Sequence, residues 1–190
     1  MAEVAATPTP LSRADGLAVL AAAHYAETGA IPASRAMLEH VWGIIGVENA
    51  HGRAIMNHNW GNIMAGPGWT GDKWPHPKPS SGQPTHFRSY PNHLTGARAF
   101  WRELYKRRGV LRHAIAGNPR GMVRELYETR YVVGGNREGY AHGIRDTARG
   151  ARESGEAAGW AGQRSALFGF GALGTGLLGL AGAHFGGWLR

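Results

Sequence analysis

The 190-residue sequence predicts a mainly α-helical fold with a small β-hairpin lobe, followed by a C-terminal Gly-rich apolar helix. Three observations carry that prediction. Apolar residues recur at helical spacing in successive stretches, several opened by Ser or Asn and closed by Gly. Residues 64–86 are rich in Gly, Pro and Ser, a composition that cannot hold a helix and suits a hairpin. From residue 165 to residue 189 charged side chains disappear.

Residues 1–10 lack the basic start and apolar core of a secretory signal and are expected to form a disordered lead-in. A globular domain is expected over 11–149. Ser12-Arg13-Ala14-Asp15 resembles a capping box, and Leu17, Leu20, Ala21, His24 and Tyr25 share the helical face that follows, with Gly29 as its stop. Pro32 to Ser34 opens a second helix. Its stripe of Met37, Val41, Ile44 and Ile45 reaches Glu48, three and four residues after the last two. A carboxyl continuing an apolar stripe is paired, functional, or placed at an end where it reaches solvent. Burial beside apolar groups keeps a carboxyl protonated near neutrality, the state a general acid needs.

Residues 51–63 are expected to be loop, a polar, Gly-bearing turn able to hold a hydrogen-bonding substrate against that acid. The lobe at 64–86 carries Trp69 and Trp74, and Phe87-Arg88-Ser89-Tyr90 returns as its closing strand. Tryptophans on such a lobe suit stacking on sugar faces, whose C–H groups meet a π surface; of Trp60, Trp69 and Trp74 at least one is expected to line the groove, the alternative being that one or two simply pin the lobe to the core. After Pro91, Leu94, Ala97, Phe100, Trp101 and Leu104 have helix period. A shorter helix runs from Val110 to Ala116 and stops at Gly117. Asn118-Pro119 caps the next, with Met122, Val123, Leu126 and Tyr127 on its inner face. Residues 131–136 turn, and Tyr140 and Ile144 share a face of a last helix.

Composition narrows the chemistry. There is no cysteine, hence no disulfide or thiolate, and the ten histidines show no metal-ligand spacing, so no metal is expected. The formal charge is +8, densest in Arg98, Arg102, Lys106, Arg107, Arg108 and Arg112, with Glu103 the one acid among them. That field suits a polyanion, whether nucleic acid, anionic lipid or acidic wall polymer, or is simply a solvated face. No Arg-rich arm or reader motif accompanies it, which argues against nucleic acid.

The order helix–Glu48–small–x–Gly, then Asn57-x-Asn59-Trp60-Gly61-Asn62-Ile63, then Phe87-Arg88-Ser89-Tyr90, then Tyr131 and Tyr140-Ala141, resembles lysozyme-like peptidoglycan glycosidases over roughly residues 33–148. Within that group it is most similar to bacterial and phage glucosaminidases and lytic transglycosylases. The resemblance implies a lysozyme-like helical domain, bacterial peptidoglycan as substrate, no cofactor, and Glu48 as the catalytic acid. It also implies substrate contacts from Asn57, Asn59, Trp60, Asn62, Trp69, Tyr131 and Tyr140, the two tyrosines framing the cleft. A two-acid hydrolase needs a second carboxylate. The lobe contains only Asp72, and Glu103, Glu125 and Glu128 fall on later helices, so single-acid chemistry is favoured.

Residues 150–164 read as a linker or helix extension. Residues 165–189 contain eight glycines and no formal charge, a length that can cross a hydrocarbon core needing about 20 residues. Gly171, Thr175, Gly179, Ala183 and Gly187 recur every fourth residue, as in helices that pack closely in lipid. Lipid, copies of the same chain or a partner's helices are the expected cover for 165–190. With no secretory signal, a phage particle carrying the protein among its tail or ejection proteins, for action in the host periplasm and cell wall, is the expected setting. The competing expectation is a non-catalytic wall-binding or structural component of such a particle, with a membrane-inserting C-terminus.

Overall fold

The structure, a computed structural model, describes residues 2–75 and 85–156. Residues 157–164 of the expected linker and the apolar segment 165–190 lie outside the described residues. Six helices and one hairpin make up the described part: α1 (Arg13–Thr28), α2 (Arg35–Glu48), β1 (Lys73–Pro75), β2 (His86–Arg88), α3 (His93–Tyr105), α4 (Arg108–Ile115), α5 (Pro119–Glu128) and α6 (Arg137–Glu153). The strands pair antiparallel, with Trp74 opposite Phe87. No helix among the described residues is long and apolar enough to cross a membrane.

The helix starts follow local side-chain chemistry. Ser12, Ser34, Asn92, Asn118 and Asn136 each accept a hydrogen bond from the backbone N–H three residues on, at 2.9–3.1 Å. Asn92 and Asn136 add two caps of the kind foreseen for the other three. Gly29 ends α1 in the left-handed conformation (φ 70°), which costs a glycine little.

α2 is the central helix. Ten of its fourteen residues are buried, so it is enclosed on nearly every side. α1, α4 and α6 pack around it, α3 covers α1, and α5 bridges α4 and α6. Trp42 of α2 meets the edge of Trp60 from the following loop (6.4 Å between centroids), and both are fully buried. The approach of α6 to α2 is allowed by two missing side chains. A Cβ on Gly43 would sit 2.7 Å from the carbonyl oxygen of Ile144, and one on Gly46 would collide with Thr147.

Two polar assemblies fix the helices. Glu39 on α2 is 1% exposed and accepts from Arg35 (2.6 Å) and from Arg152 of α6 (3.1 Å). His24 of α1 is bonded to Tyr105 of α3 (2.7 Å) and to the Ala30 carbonyl (2.7 Å), while Trp101 donates to Leu20 O (2.9 Å).

One sequence expectation is corrected, and the basic run gains partners from distant residues. Residues 2–9 do not hang free: Val4 N donates to Lys73 O (2.9 Å), Lys73 N to Ala2 O (3.0 Å), Asn57 N to Thr7 O (2.8 Å) and Thr9 N to Ile55 O (2.8 Å). Backbone pairing with the lobe and the loop, invisible in side-chain composition, orders this segment. The basic run is also less naked than its local sequence suggests. Glu27, distant in sequence, pairs with Arg98 and Arg102, Glu103 pairs with Lys106 and Arg107, and Glu125 lies 3.9 Å from Arg112.

Gly43→Ala tests the helix contact. Overpacking of this kind costs about 1–3 kcal/mol, which predicts a melting temperature several degrees lower in calorimetry. An unchanged transition would mean that α6 tolerates displacement from α2.

Candidate active site

Glu48 is the last residue of α2, half-buried, with its carboxylate at the head of the 49–63 loop. The chain then reverses through left-handed residues at Ala50, His51 and Gly52 (φ 48°, 59° and 85°). The loop that returns past the carboxylate contains three more left-handed non-glycine positions, Asn57, His58 and Asn62 (φ 49°, 55° and 49°). Asparagine tolerates that region better than most residues, which accounts for two of the three.

Two side chains grip the Glu48 carboxylate from different elements. Tyr140, one turn into α6, donates its hydroxyl to Oε1 at 2.5 Å. Asn62 donates its amide to Oε2 at 3.1 Å and to the Glu48 carbonyl at 3.2 Å, while its own oxygen accepts from the buried Asn49 (3.3 Å). Burial, then the Glu48 charge, hold the Tyr140 phenol far above its usual range, so it remains a donor. Tyr131 stands beside them. Its hydroxyl donates to Gly61 O (2.9 Å), Arg107 lies over its ring (4.9 Å), and burial followed by the Glu48 charge raises its phenol as well. Gly61 has no room for a side chain, because a Cβ there would strike the Tyr131 hydroxyl and Phe100.

The remaining predicted site residues divide sharply. Asn57 is buried, and its amide group accepts from Thr7 N (2.5 Å) and donates to Ala5 O (2.9 Å). Asn59 is fully buried; its amide spans the loop, accepting from Ile63 N (2.8 Å) and donating to Ile63 O (2.9 Å) and Arg88 O (3.0 Å). Trp60 belongs to the core. All three build the loop, and none is placed to touch substrate, because their polar groups or ring faces are already consumed by the protein. Trp74 is likewise buried against Phe87.

Trp69 is the lobe tryptophan that lines an opening. It borders a cavity of about 540 Å³ together with Asp72, Arg88 and Tyr90 of the lobe side, Arg102 and Glu103 of α3, and Lys106, which caps that helix. Arg88 lies over its ring (4.8 Å), and its indole N–H donates to Asp72 O (2.9 Å). Sequence reasoning missed Asn49, Arg88 and Tyr90. The last two stand in the closing strand and its continuation, and their adjacency to Trp69 depends on the hairpin register. Neither Asp72 nor Glu103 joins the Glu48 network: Asp72 accepts from Ala2 N (3.0 Å), and Glu103 is held by Lys106 (2.6 Å) and Arg107 (3.0 Å).

The sequence matches no protein-family model and no curated protein. Solved structures do share its fold. The glycoside hydrolase domain of FlgJ from Salmonella typhimurium superposes with a TM-score of 0.52 at 15% identity, over 78% of this chain and 94% of that one. A peptidoglycan hydrolase from Sphingomonas sp. A1 gives 0.53 at 16% identity, over 82% and 96%. The chain therefore has the fold of these two proteins: a mainly helical domain with a hairpin lobe.

Enclosed histidines make the fold sensitive to acid. Burial lowers His24, His40 and His58, and it lowers His93, with help from neighbouring His58, to about 4 from 6.5. His58 and His93 meet edge to face at 4.4 Å, where the loop packs on α3. Between the folded and unfolded values the unfolded chain binds more protons, so stability rises with pH across that window and is lost as pH falls. Thermal melts should show Tm dropping between pH 6.5 and 5, above the range where most carboxylates titrate, with a smaller drop in His93→Asn. A flat profile would contradict the burial of these rings.

Proposed function

We propose that this protein is a peptidoglycan glycosidase that cleaves the glycan strand between N-acetylmuramic acid and N-acetylglucosamine, with Glu48 as its one catalytic acid. The observation that carries the proposal is the Glu48 carboxylate held by Tyr140 and Asn62, in a fold shared with glycoside hydrolase domains. A glycosidic oxygen is a poor leaving group until protonated. Glu48 supplies that proton and becomes a carboxylate, and the two donors stabilise the charge as it develops. Tyr140 stays neutral throughout, so it serves as donor and not as base.

With Asp72 and Glu103 committed elsewhere, the oxocarbenium-like centre is best met by the substrate's own groups. In one route the C6 hydroxyl attacks the anomeric carbon and returns its proton to Glu48, giving an anhydro-muramyl end without consuming water. In the other the 2-acetamido oxygen attacks, and water later opens the adduct with Glu48 as base. Carriage by a phage particle is part of the proposal; its support is the composition of residues 165–189, a membrane-length run with a ladder of small residues.

Digestion of purified peptidoglycan tests the proposal. Wild-type protein should release muropeptides, with products differing by one water between the two routes in mass spectrometry. Glu48→Gln keeps the side chain's shape but has no transferable proton, so activity should fall by about 10²-fold or more with Tm nearly unchanged. Near-native activity in that variant would remove Glu48 from the chemistry.

A further inference from the structure

The cavity between lobe and α3 has a lining that a sugar chain does not call for. Its lobe wall carries Asp72 and Arg88, its helix wall Arg102, Glu103 and Lys106, and Trp69 and Tyr90 lie between them, edge to face at 5.5 Å. Both walls therefore present both signs of charge. Their accessibility is unequal. The Glu103 side chain is 13% exposed and held by Lys106 and Arg107, whereas Lys106 is 64% and Arg102 55% exposed. A lysine ammonium has three donors, and the contact with Glu103 occupies one. Arg88 spends its Nε on Met64 O (3.1 Å), lays its plane over Trp69 and lines the cavity beside Tyr90. Arg102 is spent on Glu27, at 2.8 Å to each carboxylate oxygen, so the cations on offer are Lys106 and Arg88, with exposed Asp72 as a separate acid.

The cavity adjoins the Glu48 site through one run of backbone. Asn62 bonds the Glu48 carboxylate, the next residue, Ile63, accepts from Arg88 N (2.9 Å), and Met64 accepts from Arg88 Nε. Tyr131 lies within electrostatic reach of both Glu48 and Glu103. Residues 62–64 therefore tie the Glu48 carboxylate to Arg88 of the cavity.

We infer that the cavity receives the peptide stem of the wall polymer, its carboxylates against Lys106 and Arg88 and its side-chain amine toward Asp72, so that the protein prefers peptide-bearing strands to bare glycan. This rests on the glycosidase reading above. The alternating amino sugars of the strand are neutral where the lactyl group is substituted, and they gain little from a lining of both signs. A short peptide with carboxylates and an amine satisfies both, and its alanyl methyl groups suit the Trp69–Tyr90 floor.

The test compares intact peptidoglycan with the same glycan stripped of its stems by an amidase, for wild-type protein and Lys106→Glu. The wild type should show kcat/KM at least about tenfold higher on the peptide-bearing substrate, the scale of one charge-assisted contact, and Lys106→Glu should erase most of that ratio. Equal rates on both substrates, or a variant that lowers both alike, would overturn the stem site while leaving the glycosidase reading intact. If neither substrate is cleaved, the glycosidase reading fails, and calorimetric titration with free stem tetrapeptide decides this inference separately. Binding weakened at least about tenfold by Lys106→Glu would sustain the site, and no binding by the wild type would overturn it.

Discussion

The close approach of α6 to α2 is the constraint on which the rest of the structure depends. Glu39, Gly43 and Gly46 fall at i, i+4 and i+7 on one face of α2, and Tyr140, Ile144 and Thr147 at the same spacing on α6. Gly43 and Gly46 remove the side chains that would hold the helices apart, and Ile144 and Thr147 fill the space. Arg152 then reaches across to Glu39, with Arg35 completing the pairing. An acid this deeply buried is costly to leave unpaired, so the ion pairs act more on the register of the two helices than on net stability. Register is what the site needs. Tyr140 meets Glu48 only if α6 neither slides nor rotates on α2, since the two residues are far apart in sequence and share no other element.

The 57–63 loop divides its labour in a way that its composition conceals. Asn57 and Asn59 spend their amides on the N-terminal segment, the lobe and the loop's own backbone. Trp60 anchors the whole to Trp42, and the loop's close passage under α3 depends on Gly96, where a Cβ would collide with the His58 carbonyl. The loop is therefore rigid by construction, and Asn62 is the residue it delivers to the carboxylate. In the proposed reaction a rigid donor costs less reorganisation as charge develops on Glu48, so a hydrogen bond present in the resting protein would contribute to the transition state.

Much of this was legible in the residues. The caps at Ser12, Ser34 and Asn118, the stop at Gly29, the apolar stripe running into Glu48, and the return strand at Phe87 were readable because each is a local signal with its own chemistry. Tyr140 was nameable only through resemblance, as a substrate contact framing the cleft, and its bond to Glu48 was not foreseen, because no local rule links residues on α2 and α6. Trp60 misled for a reason of the same kind: flanked by Asn59 and Gly61, it has the surroundings of an exposed ring, and only the packing against Trp42 shows otherwise. The N-terminal segment was misread because its order comes from main-chain hydrogen bonds, which composition does not encode. Glu27 neutralising Arg98 and Arg102, and the cavity formed by Trp69 with α3, were out of reach because both depend on how distant elements meet.

The central claim is that the Glu48 carboxyl, held by Tyr140 and Asn62, faces a glycosidic oxygen. A crystal structure of Glu48→Gln soaked with a glycan fragment of two or more repeats tests it most directly. A strand should run past the end of α2, with one glycosidic oxygen within about 3.2 Å of the residue 48 side chain, the reach of a general acid. A strand bound with no glycosidic oxygen near residue 48, its side chain still tied to Tyr140 and Asn62 and turned from the sugar, would contradict it.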